Sequence, residues 1–298
     1  RSLAHIMAAE ASHALQDKGL RQHHLAQAVL HAQQGQSAQR QTLTEGVQLR
    51  AARWLLDDRD AQASLDRLKE LPPASGRRMV AMRLQLKAAQ LAGQPEQALE
   101  TAVLLAKHRA FSPSVGQSLV SRLILEWVAS THDTDGIQRV WKKLTPTQRL
   151  MPQVAAEAAW RWLQLGGASL QARQWLLAVI MPLLDSPTAW KDALGVRFVQ
   201  ALEASLADVQ ASDALEWLSR IESAQQSLPR DPCLQFLAGM LCWRHKLWGK
   251  AQGLLAQAVK SLDEPVLKRQ AWCALAELAE QRQDADAAKN AWKQAAQT

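Results

Sequence analysis

Four pairs of positions near the end of this chain repeat at one interval. Gly239 is matched by Ala276, Ala251 by Ala288, Leu255 by Trp292 and Ala258 by Ala295, each 37 residues on. Small residues stand where two helices must approach closely, and a large residue is wedged between them. A helical hairpin of this kind cannot bury its apolar faces alone, so it requires neighbours built the same way. Composition agrees with this. Gly (13) and Pro (11) are scarce in 298 residues, hydrophobic residues make up 48%, and good helix formers dominate. The expectation is an all-α chain.

Helical periods alternate with short breaks along the whole length. The expected pairs run over 2–15 and 20–33, 39–55 and 60–71, 79–91 and 96–107, 114–130 and 134–143, and 154–165 and 170–184. Then follow 189–206 with 211–225, 233–245 with 249–262, and 267–281 with 285–297. The stretch 144–152, with two prolines, is expected to be a kink or loop. About eight hairpins at a spacing of roughly 34 to 40 residues match helical solenoids, and the small–large–small grammar is that of tetratricopeptide repeats. The third pair shares it through Ala89, Ala98 and Ala102. The architecture expected is one right-handed α-solenoid over 1–298, more regular at 1–110 and 229–298 and divergent at 114–228. The first helix of each pair is expected to line a concave groove.

Charge is unevenly placed. Residues 1–150 carry 20 Lys/Arg against 13 Asp/Glu, a balance of +7, while residues 151–298 carry 15 of each. A basic N-terminal half suits an anionic lipid surface or an acidic partner, or else a set of solvated helix exteriors. No nucleic-acid motif accompanies it. Three cysteines without zinc-finger spacing imply no disulfide framework and favour a reducing compartment. The longest apolar run, Trp175 to Leu184, is about half the length a bilayer-spanning helix needs. The chain opens on Arg1, already inside a helical pattern, and is expected to be a fragment of a longer protein.

Several runs carry a more specific likeness: Leu215-Glu216-Trp217-Leu218, Pro229-Arg230-Asp231-Pro232, Leu237-Ala238-Gly239-Met240-Leu241-Cys242 and Leu247-Trp248-Gly249-Lys250-Ala251. Together they resemble the C-terminal signature of the HemY family, haem-biosynthesis-associated tetratricopeptide proteins of proteobacterial inner membranes. Met7-Ala8-Ala9-Glu10-Ala11, with His24, Leu25 and Ala28, resembles the first repeat of that family. The resemblance implies a cytoplasmic repeat domain behind N-terminal membrane helices that this chain lacks. One position departs from it: Arg21 stands where the first repeat carries a small residue.

Candidate chemistry is sparse. Cys242 and His245 are three apart on one helix and share a face, as do His24 and His31, two turns apart beside His13 and His23. These four residues are the candidate haem ligands, set against the plainer readings of a buried thiol and surface histidines. Cys233 and Cys273 fall on the first helices of adjacent pairs, where groove-wall packing is the alternative to redox work. Arg83 and Lys87, four apart, are candidates for holding a partner's carboxylate or phosphate, and Met240, Trp243 and Arg244 are the other groove candidates. Twelve tryptophans and no tyrosine mostly occupy packing positions. Trp160 and Trp162 cannot share a helix face, so one is expected at the surface.

No nucleophile elbow, phosphate loop, metalloprotease helix or glycine-rich dinucleotide fingerprint occurs, so an enzyme and a metal site are not expected. The expected function is a membrane-tethered protein-interaction scaffold beside late haem synthesis. A direct haem or porphyrin carrier and a general adaptor unrelated to haem are the alternatives.

Overall fold

The repeated hairpin begins with its turn. In the computed structural model, which describes residues 1–33, 37–185, 193–209 and 211–298, seven residues adopt left-handed φ near helix ends: Gln16, Arg59, Gly93, Arg109, Gly166, Lys246 and Gln283. The amide of the next residue in each case donates back to a carbonyl five positions earlier, from Asp17 to Ser12 through to Asp284 to Ala279, at 2.8–3.0 Å. This is the Schellman closure, which satisfies carbonyls that a helix end would otherwise leave open. Only two of the seven positions are glycine. At Asp60 and Asp284 the residue after the turn also caps the next helix, its side chain accepting from Ala63 and Ala287 N–H.

Among the described residues the chain is all-helical, with eighteen helices and no strand. They divide into two compact units, Arg1–Trp127 and Val128–Thr298. The first contains α1 (Ser2–Ala14), α2 (Lys18–Gln33), α3 (Ser37–Asp57), α4 (Ala61–Lys69), α5 (Pro73–Gly76), α6 (Met79–Leu91) and α7 (Pro95–Lys107). It ends within α8 (Pro113–Ala129). The second contains α9 (Thr134–Lys143), α10 (Pro146–Arg149), α11 (Pro152–Gln164), α12 (Ser169–Asp185), α13 (Ala193–Ser205) and α14 (Ala211–Ser227). It closes with α15 (Pro232–Arg244), α16 (Trp248–Ser261), α17 (Pro265–Gln281) and α18 (Ala285–Gln297). Part of the expected helix over 189–206 lies outside the described residues.

Proline marks starts rather than breaks. Pro73, Pro95, Pro113, Pro146, Pro152, Pro232 and Pro265 each open a helix, where a missing N–H costs nothing and φ is already set. The expected break at 144–152 is present between α9 and α11, and it holds one turn of helix rather than a plain loop. Thr145 and Gln148 form a reciprocal capping box around the short α10. Arg149 at its end donates to Trp141 and Lys142 carbonyls, both at 2.9 Å.

In the first unit, α1 pairs with α2, α3 with α4, and α6 with α7, and each pair also packs on the next. The cores lie at those junctions. Ile6, Ala28 and Val47 come together from α1, α2 and α3, and Ala52, Leu68, Leu71 and Ala81 bring α3, α4 and α6 together. Arg21, anomalous by sequence, is 3% exposed. Its guanidinium pairs with Asp58 just past α3 and donates to His13 Nδ1 at 2.8 Å. An ion pair thus fills the place of a close helix approach.

In the second unit, α11, α13, α15 and α17 form one row of successive contacts, with α12 against α14 behind it. The close approach inferred for Gly239 is real: a Cβ there would lie 2.8 Å from Leu255 Cγ. Leu255, Ala251 and Ala258 are fully buried. Neither Trp160 nor Trp162 is fully exposed. Trp162 meets Trp175 edge-on at 5.2 Å, Trp175 stacks on Trp141 at 4.6 Å, and Arg197 lies over Trp160. The Trp160 and Trp162 rings are both half-buried, each covered on one side by a neighbour.

Candidate functional site

Several arginines are occupied by the fold before any ligand is considered. The last carbonyls of a helix lack internal partners and carry the negative end of its dipole. Arg83 reaches the Ala110 carbonyl past α7 at 3.3 Å, Arg161 the Thr131 carbonyl at 2.9 Å, and Arg244 the Glu203 carbonyl at 3.0 Å. Arg173 likewise binds the Ser205 carbonyl at the end of α13, and Asp208 at 3.0 Å. These side chains tie helix ends to other helices. Arg83 is exposed and already bonded, and Lys87, one turn on, is exposed in the same unit.

The second unit contains a cleft of about 490 Å³ between α13, α15 and α17. Met240, Trp243 and Arg244 come from α15, and Glu203 from α13. Helix α17 contributes one stripe: Val266, Arg269, Gln270, Cys273, Ala274 and Glu277. Residues 266, 270, 273 and 277 recur at three- and four-residue steps, so a single face is turned inward. All three groove candidates on α15 are therefore brought together.

Two polar features define the cleft. Glu203 is 8% exposed and holds Arg244 through both its carboxylate and its carbonyl. Burial raises the Glu203 carboxyl above the usual range, and the guanidinium offsets part of that rise. The second is Gln270, whose Oε1 is buried with no hydrogen-bond partner. A buried acceptor left unmade costs roughly 1–3 kcal/mol, and this one is sealed from solvent. Among the described residues, neither Arg269 nor Glu277 has an ion-pair partner.

The thiols differ sharply. Cys233 and Cys242 are buried, and burial lifts them to about 12 and about 11, the Glu222 carboxylate adding to the second. Cys242 lies 3.6 Å from Glu222 Oε1, which in turn binds Lys250 at 3.1 Å, so its polar contact is to a carboxylate rather than to His245. His245 is the C-cap of α15, leading into the left-handed Lys246. Cys273 lines the cleft and is half-buried.

His24 and His31 are brought together, but through a residue the sequence reading passed over. His5 of α1 sits between them, with Nδ1 3.2 Å from His24 Nδ1 and its ring stacked on His31 at 5.3 Å. Its signal was the α1–α2 pairing, not its own spacing. Among the described residues no group of His, Cys, Asp or Glu has an arrangement that holds a metal ion, and no helix is long and apolar enough to cross a membrane.

No protein-family model and no curated protein sequence matches the chain.

Proposed function

We propose that this chain is the repeat region of a membrane-tethered interaction scaffold of the HemY type, working beside late haem synthesis. The observation that supports the scaffold reading is the cleft on the α13–α15–α17 row, which gathers Met240, Trp243 and Arg244. The haem connection and the inner-membrane location rest on the resemblance at 215–251 and 7–28. Both units belong, in this reading, to a right-handed tetratricopeptide-like solenoid whose first helices form the binding side. Hairpins arranged in successive contact and turned at equivalent left-handed positions support it. The basic half meets anionic lipid, and the C-terminal hairpins meet proteins.

The test is crosslinking in cells followed by identification of partners. Recovery of haem-pathway enzymes supports the reading, and their consistent absence with other membrane proteins present leaves a general adaptor. The carrier alternative draws on the convergence of His24 and His31 on His5. It expects a Soret shift on titrating haem that is lost in the His24→Ala, His31→Ala double variant, and an unchanged spectrum at micromolar haem rejects it.

A further inference from the structure

We infer that the α13–α15–α17 cleft takes an extended peptide segment of a partner protein carrying an acidic residue, an apolar residue and a basic residue in close succession. The inference rests on the scaffold reading and names the chemistry its site selects.

The cleft is polar at its ends and apolar between them. Arg269 stands on the α17 stripe just after Val266 and Glu277 closes it, each without an ion-pair partner among the described residues. Eight residues of helix separate them, about 12 Å at 1.5 Å per residue. That span equals roughly four residues of extended chain. Between them lie Met240, Trp243 and Ala274, a surface for one apolar side chain. Arg244 is held by Glu203 and adds no free charge. A segment of uniform charge would place a like charge against one end. A dipolar segment pairs both ends.

An anionic small molecule satisfies Arg269 but leaves the Glu277 carboxylate opposed. A peptide supplies an anion and a cation together, in the order the stripe presents their partners.

The test uses the full chain and three capped, fluorescein-labelled peptides: Glu-Leu-Gly-Lys, Gln-Leu-Gly-Gln and Lys-Leu-Gly-Lys. Binding is followed by anisotropy and by protection of Cys273 from alkylation, since Cys233 and Cys242 are buried and little ionised. Expected is about tenfold tighter binding of the first peptide than of the others, about 1.4 kcal/mol, from two partly exposed ion pairs. That peptide should slow Cys273 labelling, and Glu277→Gln should erase most of the preference. Equal binding of all three, binding that leaves Cys273 labelling unchanged, or no saturable binding up to about 1 mM each overturns the inference. Arg269→Gln, at an exposed position, is a second variant that should reduce the same preference without unfolding. Should Glu277→Gln keep its full list of crosslinked partners in cells, the cleft assignment fails while the scaffold reading stands.

Discussion

Arg21 of α2 holds Asp58 across 37 residues of sequence, its guanidinium almost wholly buried and its partner at the far end of α3. Lys18 stands 3.9 Å from the same carboxylate. Arg21 also donates to His13 Nδ1, which therefore acts as an acceptor. The proton of neutral His13 then lies on Nε2, facing Asp57 at 3.6 Å. The charge cluster ties the first hairpin to the second.

Removing one member should be costly, because the other is left as an uncompensated buried charge. Arg21→Met alone should lower stability by about 3 kcal/mol, as should Asp58→Leu alone, while the two together should recover much of the loss. Urea unfolding of the four proteins in a double-mutant cycle measures this. Additive losses would show that the pair is not coupled.

At the α15–α16 contact, Gly239→Ala should destabilise by about 1 kcal/mol despite alanine's better helix propensity. The added Cβ falls 2.8 Å from Leu255, which is itself fully buried and has no room to retreat. In the Leu255→Ala background the same change should become neutral or favourable. A shift in the thermal midpoint of the same sign in both backgrounds would contradict this account.

The hairpin turns give an opposite expectation. Lys246 and Gln283 hold φ near +60° with side chains that disfavour it. Lys246→Gly and Gln283→Gly should each raise stability by up to about 1 kcal/mol, and Gly93→Ala should lower it by a similar amount. Calorimetry on the single variants suffices.

Acid should weaken the first unit in two steps. His5 titrates below its ordinary 6.5, chiefly because of burial, then His31, His24, His23 and the N-terminal ammonium. The unfolded chain therefore binds the proton first, so this contribution is complete above 6.5 and is lost as pH falls through the folded value. Asp58 is held below its ordinary 3.8, first by its bond to Arg21, so its contribution is lost at lower pH still. Both signs favour higher pH. Urea midpoints across pH 3 to 8 should show the upper step vanish in His5→Gln and the lower step shrink in Asp58→Asn, with Asp66, held low by Lys69, supplying what remains.

The 37-residue register was readable because packing at 239, 251, 255 and 258 depends on side-chain size alone, and size is written in the sequence. The divergent middle hid its grammar differently. Helix α11 packs through Ala155, Ala156, Ala158 and Ala159, all buried, so its small residues form a broad face rather than two spaced contacts. Which of Trp160 and Trp162 is open was not legible, since both are half-buried and their cover comes from neighbours, Arg197 and Trp175. The left-handed turns were legible at Gly93 and Gly166 and invisible at Arg59, Lys246 and Gln283, where the hydrogen bonds, not the residue type, hold the backbone.

Of the candidate site, the sequence located Met240, Trp243 and Arg244 on one helix and placed Cys273 on its neighbour. It did not show that Arg244 is bound to Glu203, 41 residues earlier, or that Gln270 lacks a donor. Helicity, hairpin spacing and the positions of close approach follow from local propensity, proline and side-chain volume, so the sequence by itself determined them. Which charges are spent on helix ends and which remain free depends on distances between residues far apart in the chain, and only the tertiary structure decided that.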